Sequence, residues 1–113
     1  MRLYGRVAPQ FWTGSTGKVL RQAGRDAQAL ALYLITAPSA NMIGLYYLPL
    51  PIICHEVGLS KEGALKALQR VSEAQFAHYD ERTEHVWVPE MARFQVGEPL
   101  TPTEKRVKGV LRE

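Results

Sequence analysis

The chain has 113 residues, 46% apolar and 22% charged, with a formal net charge of +3 and a pI near 9.2. That is enough for one domain around one core, and its mild positive charge admits a nucleic-acid partner without establishing one. A single cysteine, Cys54, excludes an intrachain disulfide and fits a reducing cytoplasm; no apolar run approaches the ~18 residues of a membrane span, and no secretory signal follows Arg2, so a cytoplasmic location away from membranes is expected.

Arg2 to Val7 alternates weakly and predicts a short edge strand. Pro9 to Gly17 reads as a loop, with Phe11 and Trp12 anchoring this arm onto the domain. Lys18 to Ala23 predicts a short helix closed by Gly24. Asp26 is the expected N-cap of a helix over Ala27 to Thr36. That helix has almost no polar face, so it belongs in the core or between subunits. Leu32 and Ile35 are its candidate contacts to a second copy.

Ile43 to Leu48 reads as a strand. Pro49 to Val57 predicts a second helix stopped by Gly58, since proline is tolerated in a first turn. Ser60 then caps a third helix, Lys61 to about Ala74. At 100° per residue its Ala64, Leu65, Ala67, Leu68 and Val71 share one arc, opposite Glu62, Gly63, Lys66, Gln69, Arg70 and Glu73. The period then changes to two. Phe76 to Tyr79 and His85 to Val88 predict a hairpin, joined by Asp80-Glu81-Arg82-Thr83-Glu84 and ended by Pro89. Tyr33, Tyr46, Tyr47, Leu68 and Trp87 are expected in the core, with Met91 and Phe94 packing back on it. Gly97 to Thr103 reads as a linker, and Glu104 to Glu113 as a short helix with Val107, Val110 and Leu111 on one stripe. The expected domain therefore covers residues 1–96, followed over 97–113 by a linker and a short C-terminal helix, or the start of a further region.

Helix, turn, helix and hairpin in this order predict an α+β winged helix-turn-helix, a three-helix core with a small antiparallel wing. Its third helix is the candidate reader of a DNA major groove. Arginine and glutamine there can bond guanine and adenine edges, which singles out Lys66, Gln69 and Arg70. Lys61 in the first turn would hold a phosphate, and Gly63 would let a backbone approach. Lys18, Arg21 and Arg25, from the basic N-terminal part, would add phosphate contacts, with Arg82 reaching out from the wing. The wing argues the other way. Asp80, Glu81 and Glu84 outnumber Arg82, and a wing along phosphates should carry the opposite sign.

Two other chemistries are excluded on spacing. Gly14-Ser15-Thr16-Gly17-Lys18 has Trp12 where a phosphate-binding loop needs glycine, and Val19 where it needs serine or threonine. Cys54 and His55, with His78 and His85, match no common zinc spacing; the two hairpin histidines are instead expected to pair across the hairpin. No catalytic constellation stands out, so no enzyme and no cofactor are expected.

The stretch from about Phe11 to Phe94 resembles the N-terminal winged-helix domain of bacteriophage replication-initiation proteins (replisome organisers, DnaD-like). The resemblance is carried by Phe11-Trp12, by the Leu30–Leu34 apolar helix ending in Thr-Ala-Pro, and by Ile43-Gly44-Leu45-Tyr46. Leu59-Ser60 before the third helix and the hairpin end Val86-Trp87-Val88-Pro89 complete it. It implies double-stranded DNA binding at initiation of phage or prophage replication, self-association, and a host replication protein as partner. Two alternatives remain open: a protein-interaction module for dimerisation or replisome docking, and a transcription regulator.

Overall fold

The computed structural model describes residues 4–96, the side chain of Val96 excepted. Six helices and three strands follow in the order α1 (Gln10–Thr13), α2 (Ser15–Ala23), α3 (Arg25–Thr36), β1 (Leu45–Tyr47), α4 (Leu50–Val57), α5 (Lys61–Glu73), β2 (His78–Asp80), β3 (His85–Trp87) and α6 (Met91–Val96). The architecture is mixed α+β. The strands form one antiparallel sheet in the order β1-β3-β2, so the first strand pairs with the last.

α3 is the central element. Ala27, Leu30, Ala31, Leu34 and Ile35 are all buried, and α2, α4, α5 and α6 pack around it. The two candidate subunit contacts are thus used inside the chain: Ile35 is fully buried and Leu32 partly buried. The extra cover comes from helices that local pattern concealed. α1 occupies the expected loop, and α2 starts at Ser15 rather than Lys18. α3 starts at Arg25, with Gly24 at φ 114° as its N-cap, so Asp26 lies inside the first turn instead of capping it. There its carboxylate faces the positive end of the helix dipole. The Arg2–Val7 strand does not form over residues 4–7, which carry no regular structure.

The last turn of α3 leaves carbonyls without helical partners, and side chains from distant elements take them up. The Tyr46 hydroxyl donates to the Leu34 carbonyl at 2.5 Å, and Gln95 Nε2 donates to the Ile35 carbonyl at 3.0 Å. These bonds orient β1 and α6 on the core. A second junction is aromatic. Phe11, Phe76 and Phe94 stack edge-on or tilted, with ring centroids 4.9–6.2 Å apart. Ala8 N–H donates to the Phe94 carbonyl beside them at 2.7 Å.

Gly58 ends α4 in the left-handed region at φ 80°, and its N–H returns to the Cys54 carbonyl. Ser60 Oγ accepts from Gly63 N–H at 3.0 Å and starts α5 as expected. Gly44 is required for a different reason. Its φ is 84°, and a Cβ there would stand 2.3 Å from the Val88 carbonyl oxygen, where β1 meets the end of β3.

The strands correct the expected core. Tyr46 pairs with Val86, and Tyr79 pairs with Val86 from the other side; these three face inward. Alternation therefore sends Tyr47 and Trp87 outward, where they are about half exposed. His78 pairs with Trp87 and His85 with Asp80, so the two histidines do not meet across the hairpin. Tyr33 is only partly buried, whereas Leu68, Met91 and Phe94 are in the core as expected. The 97–113 linker and tail lie outside the described residues.

Candidate functional site

α5 is an amphipathic helix whose Ala64, Ala67, Leu68 and Val71 seat it on α3. With that arc fixed, the helical repeat puts Glu62, Lys66, Gln69 and Glu73 at the centre of the outward face, and all four are exposed. One cation and one amide thus stand between two carboxylates. Lys61 is exposed in the first turn. Gly63 lies on the flank, its N–H already held by Ser60.

Arg70 has a different position from the one expected of a base reader. It sits at the edge of the outward arc, and its guanidinium donates to the Ala23 carbonyl at 2.5 Å, capping the C-terminal end of α2. Two shallow grooves flank it. One, about 110 Å³, is lined by Asp26, Gly63, Lys66, Ala67 and Arg70. The other is lined by Val19, Gln22, Ala23, Arg70, Glu73 and Ala74. The α2–α3 junction therefore comes to rest along the polar flank of α5, and Asp26 is brought to the Lys66 side.

The cations expected to join α5 are only partly gathered. The α2 residues beside Arg70 are Val19, Gln22 and Ala23; Arg21 projects from another arc of that helix, and Lys18, one turn before Gln22, does not line the groove. The Arg21 guanidinium donates to the Trp12 carbonyl at 2.7 Å and so ties α2 to α1. Arg25 is exposed at the start of α3, next to Asp26. Arg82 is exposed in the β2–β3 turn, where its backbone N–H donates to Asp80 Oδ1 at 2.9 Å and Thr83 Oγ1 donates to Asp80 Oδ2 at 3.1 Å. Asp80 thus organises the turn, and Glu81 is left exposed beside it.

The sheet presents a second surface that sequence reading assigned to the core. Leu45, Tyr47 and Trp87 stand on its outer face with His78 and His85. Trp87 lies against His78 with centroids 5.8 Å apart, and Tyr47 against His85 at 5.7 Å. Strict alternation within Leu45-Tyr46-Tyr47 and His85-Val86-Trp87 was the signal that could have found it. The Tyr47 hydroxyl reaches Glu84 Oε1 at 3.4 Å, so this face runs into the acidic hairpin. Behind it, Tyr79 donates to the Leu48 carbonyl at 2.7 Å. Burial pushes its hydroxyl up to about 12, and Glu84, Glu81, Tyr47 and Asp80 add to the effect. Burial likewise raises Tyr33, whose hydroxyl donates to Glu56 Oε1.

Among the described residues, no group of three histidine, cysteine or carboxylate side chains is placed to hold a metal ion. No described helix is long and apolar enough to cross a membrane. Gly17, in the half phosphate-loop motif, is buried under α1; a Cβ there would meet the Trp12 and Phe11 carbonyl oxygens at 2.3 and 2.5 Å. The chain matches no protein-family model, no curated protein and no solved structure.

Proposed function

We propose that this chain is a winged-helix domain that binds double-stranded DNA, with α5 as the groove-facing helix. The observation that carries the reading is the succession α3-β1-α4-α5-β2-β3 with sheet order β1-β3-β2, an order that fits α4 and α5 as a helix-turn-helix and β2–β3 as a wing. Lys66 and Gln69 are the outward side chains that would read base edges. Lys61, the α5 N-terminus and Arg25 would hold phosphates. Arg70 serves by keeping the α2–α3 junction against α5, rather than as a primary base contact. A role at initiation of phage or prophage replication rests on the sequence resemblance.

The number of free cations sets the size of the effect. Lys61, Lys66, Arg25 and Arg82 would neutralise about three to four phosphates, which corresponds to a log-affinity slope of roughly −3 against log salt. Fluorescence anisotropy of a mixed-sequence duplex, titrated from low to physiological salt, tests this. Lys66→Ala should weaken binding and reduce the slope by about one. Undetectable duplex affinity at low salt overturns the proposal.

A second reading is supported by the aromatic sheet face and the acidic hairpin beside it. These fit a winged helix that docks protein, with the hairpin and sheet as its contact surface. It predicts a partner complex weakened by Trp87→Ala and unchanged by Lys66→Ala. The reverse pattern favours the DNA reading.

A further inference from the structure

Phe11 and Trp12 share α1 but not a role. Phe11 is buried, whereas Trp12 is 42% exposed, its ring set edge-on against Phe11 with centroids 4.9 Å apart. Arg21 comes up beside it from α2, donating to the Trp12 carbonyl. Lys18 lies three residues before Arg21, so the two are neighbours on the helix surface, and both are exposed. Arg6, on the segment entering α1, is exposed as well. Among the described residues, none of these three cations has a carboxylate within ion-pair distance; the ion pair present is Arg93–Glu90. Residues 4–25 contain no acid. The carboxylates beside the α2–α3 junction lie elsewhere, Glu73 on the Val19–Ala23 flank and Asp26 on the Lys66 side of Arg70. This surface is therefore more uniformly cationic than the outward face of α5, which carries Glu62 and Glu73 with Lys66.

We infer that the α1–α2 surface binds single-stranded DNA. The Trp12 indole stacks an unpaired base, and Lys18, Arg21 and Arg6 hold the neighbouring phosphates. Bases offer a free π face only where the strand is unpaired, and cations beside an exposed ring add attraction that no sequence is needed to specify. Arg21 suits this place because its bond to the Trp12 carbonyl uses one of five guanidinium N–H groups. A membrane surface is a poorer occupant. A helix lying on lipid needs an apolar face to insert, but α2 turns Leu20 inward and sets Val19 in the groove beside Arg70. The inference goes beyond duplex binding, since it uses no side chain of α5; the choice of DNA over RNA alone rests on that reading.

The test uses the full chain carrying Trp87→Phe, which leaves Trp12 as its one tryptophan. An oligothymidylate of about twelve nucleotides should quench the Trp12 emission at low salt. Its log affinity should fall against log salt with a slope of roughly −2, for about three phosphates. Anisotropy of the labelled oligonucleotide reads the variants. Trp12→Phe should keep most of the affinity, and Trp12→Ala should lose about tenfold or more. Lys18→Glu should weaken binding and flatten the slope; Lys18 is exposed, so this variant reports binding rather than folding. Lys66→Ala should leave oligothymidylate binding unchanged while weakening duplex binding, so the two sites fail separately. Unquenched Trp12 emission at low salt, or Lys18→Glu binding as tightly as the parent, overturns the inference. So does tighter binding of oligouridylate, or an emission shift produced by phosphatidylserine vesicles but not by the oligonucleotide.

Discussion

The Arg70 guanidinium donates to the carbonyl of Ala23, 47 residues earlier, at 2.5 Å. This bond satisfies an orphan carbonyl at the end of α2 and holds the α2–α3 junction against α5. Arg70→Ala should cost about 1 kcal/mol in urea unfolding. Lys66→Ala should stay within about 0.5 kcal/mol, because its side chain stands outward. Equal stability of the two variants would contradict this division of labour.

Gly44 and Gly58 share a left-handed backbone but differ in surroundings. Gly44 stands against the Val88 carbonyl, whereas a Cβ at Gly58 would meet nothing within 4 Å. Gly58→Ala should therefore cost about 1 kcal/mol, from backbone strain alone. Gly44→Ala should cost distinctly more, since β1 and β3 must also separate. Equilibrium denaturation of the pair measures the difference.

In an ordinary helix, glycine to alanine gains about 1 kcal/mol. At Gly17 the sign should reverse, because the added methyl would collide with two backbone carbonyls of α1. A fall in Tm for Gly17→Ala is the expected outcome. A rise would mean that α1 is not seated on α2 in solution.

The raised Tyr79 hydroxyl makes alkaline stability a readout of the hairpin. The unfolded phenol ionises near 10, whereas the folded one does so at about 12. The unfolded state therefore loses its proton first. The contribution of Tyr79 is complete below pH 10 and falls away as pH rises through 12. Tyr79→Phe should flatten the decline in stability between pH 10 and 12. A parallel decline in both proteins would refute the assignment.

Val86 and Trp87 are adjacent but face opposite sides of the sheet. Val86→Ala should cost about 2 kcal/mol, through lost burial beneath Tyr46 and Tyr79. Trp87→Ala should change stability by no more than about 0.5 kcal/mol. Chemical denaturation of both tests whether the large aromatic is a contact residue or a core residue.

Where the chain signals structure locally, it was readable. The Ser60 cap, the clean two-arc pattern of α5, the Gly58 stop and the period-two hairpin depend on neighbours a few positions apart, and all are present. The missed features depend on residues far apart in sequence. α1 and α2 are seated by Gly17 against the Phe11 and Trp12 carbonyls, and α6 by Gln95 on Ile35. Arg70 looked free on its own helix, since nothing nearby predicts that Ala23 will arrive beside it. Tyr47 and Trp87 are large enough to suggest the core, but alternation along their strands turns them outward. Their neighbours Tyr46 and Val86 already filled the inward positions.

The three rings of Phe11, Phe76 and Phe94 also carry a consequence for biosynthesis. The first ring is made early and the last belongs to the final described helix, so the cluster closes only when nearly the whole domain has emerged from the ribosome. Until then, α1 and the approach to β2 expose aromatic surface to solvent or to a chaperone. A nascent chain halted before Phe94 should therefore remain protease-sensitive from its amino end, even with α3, α4 and α5 already translated.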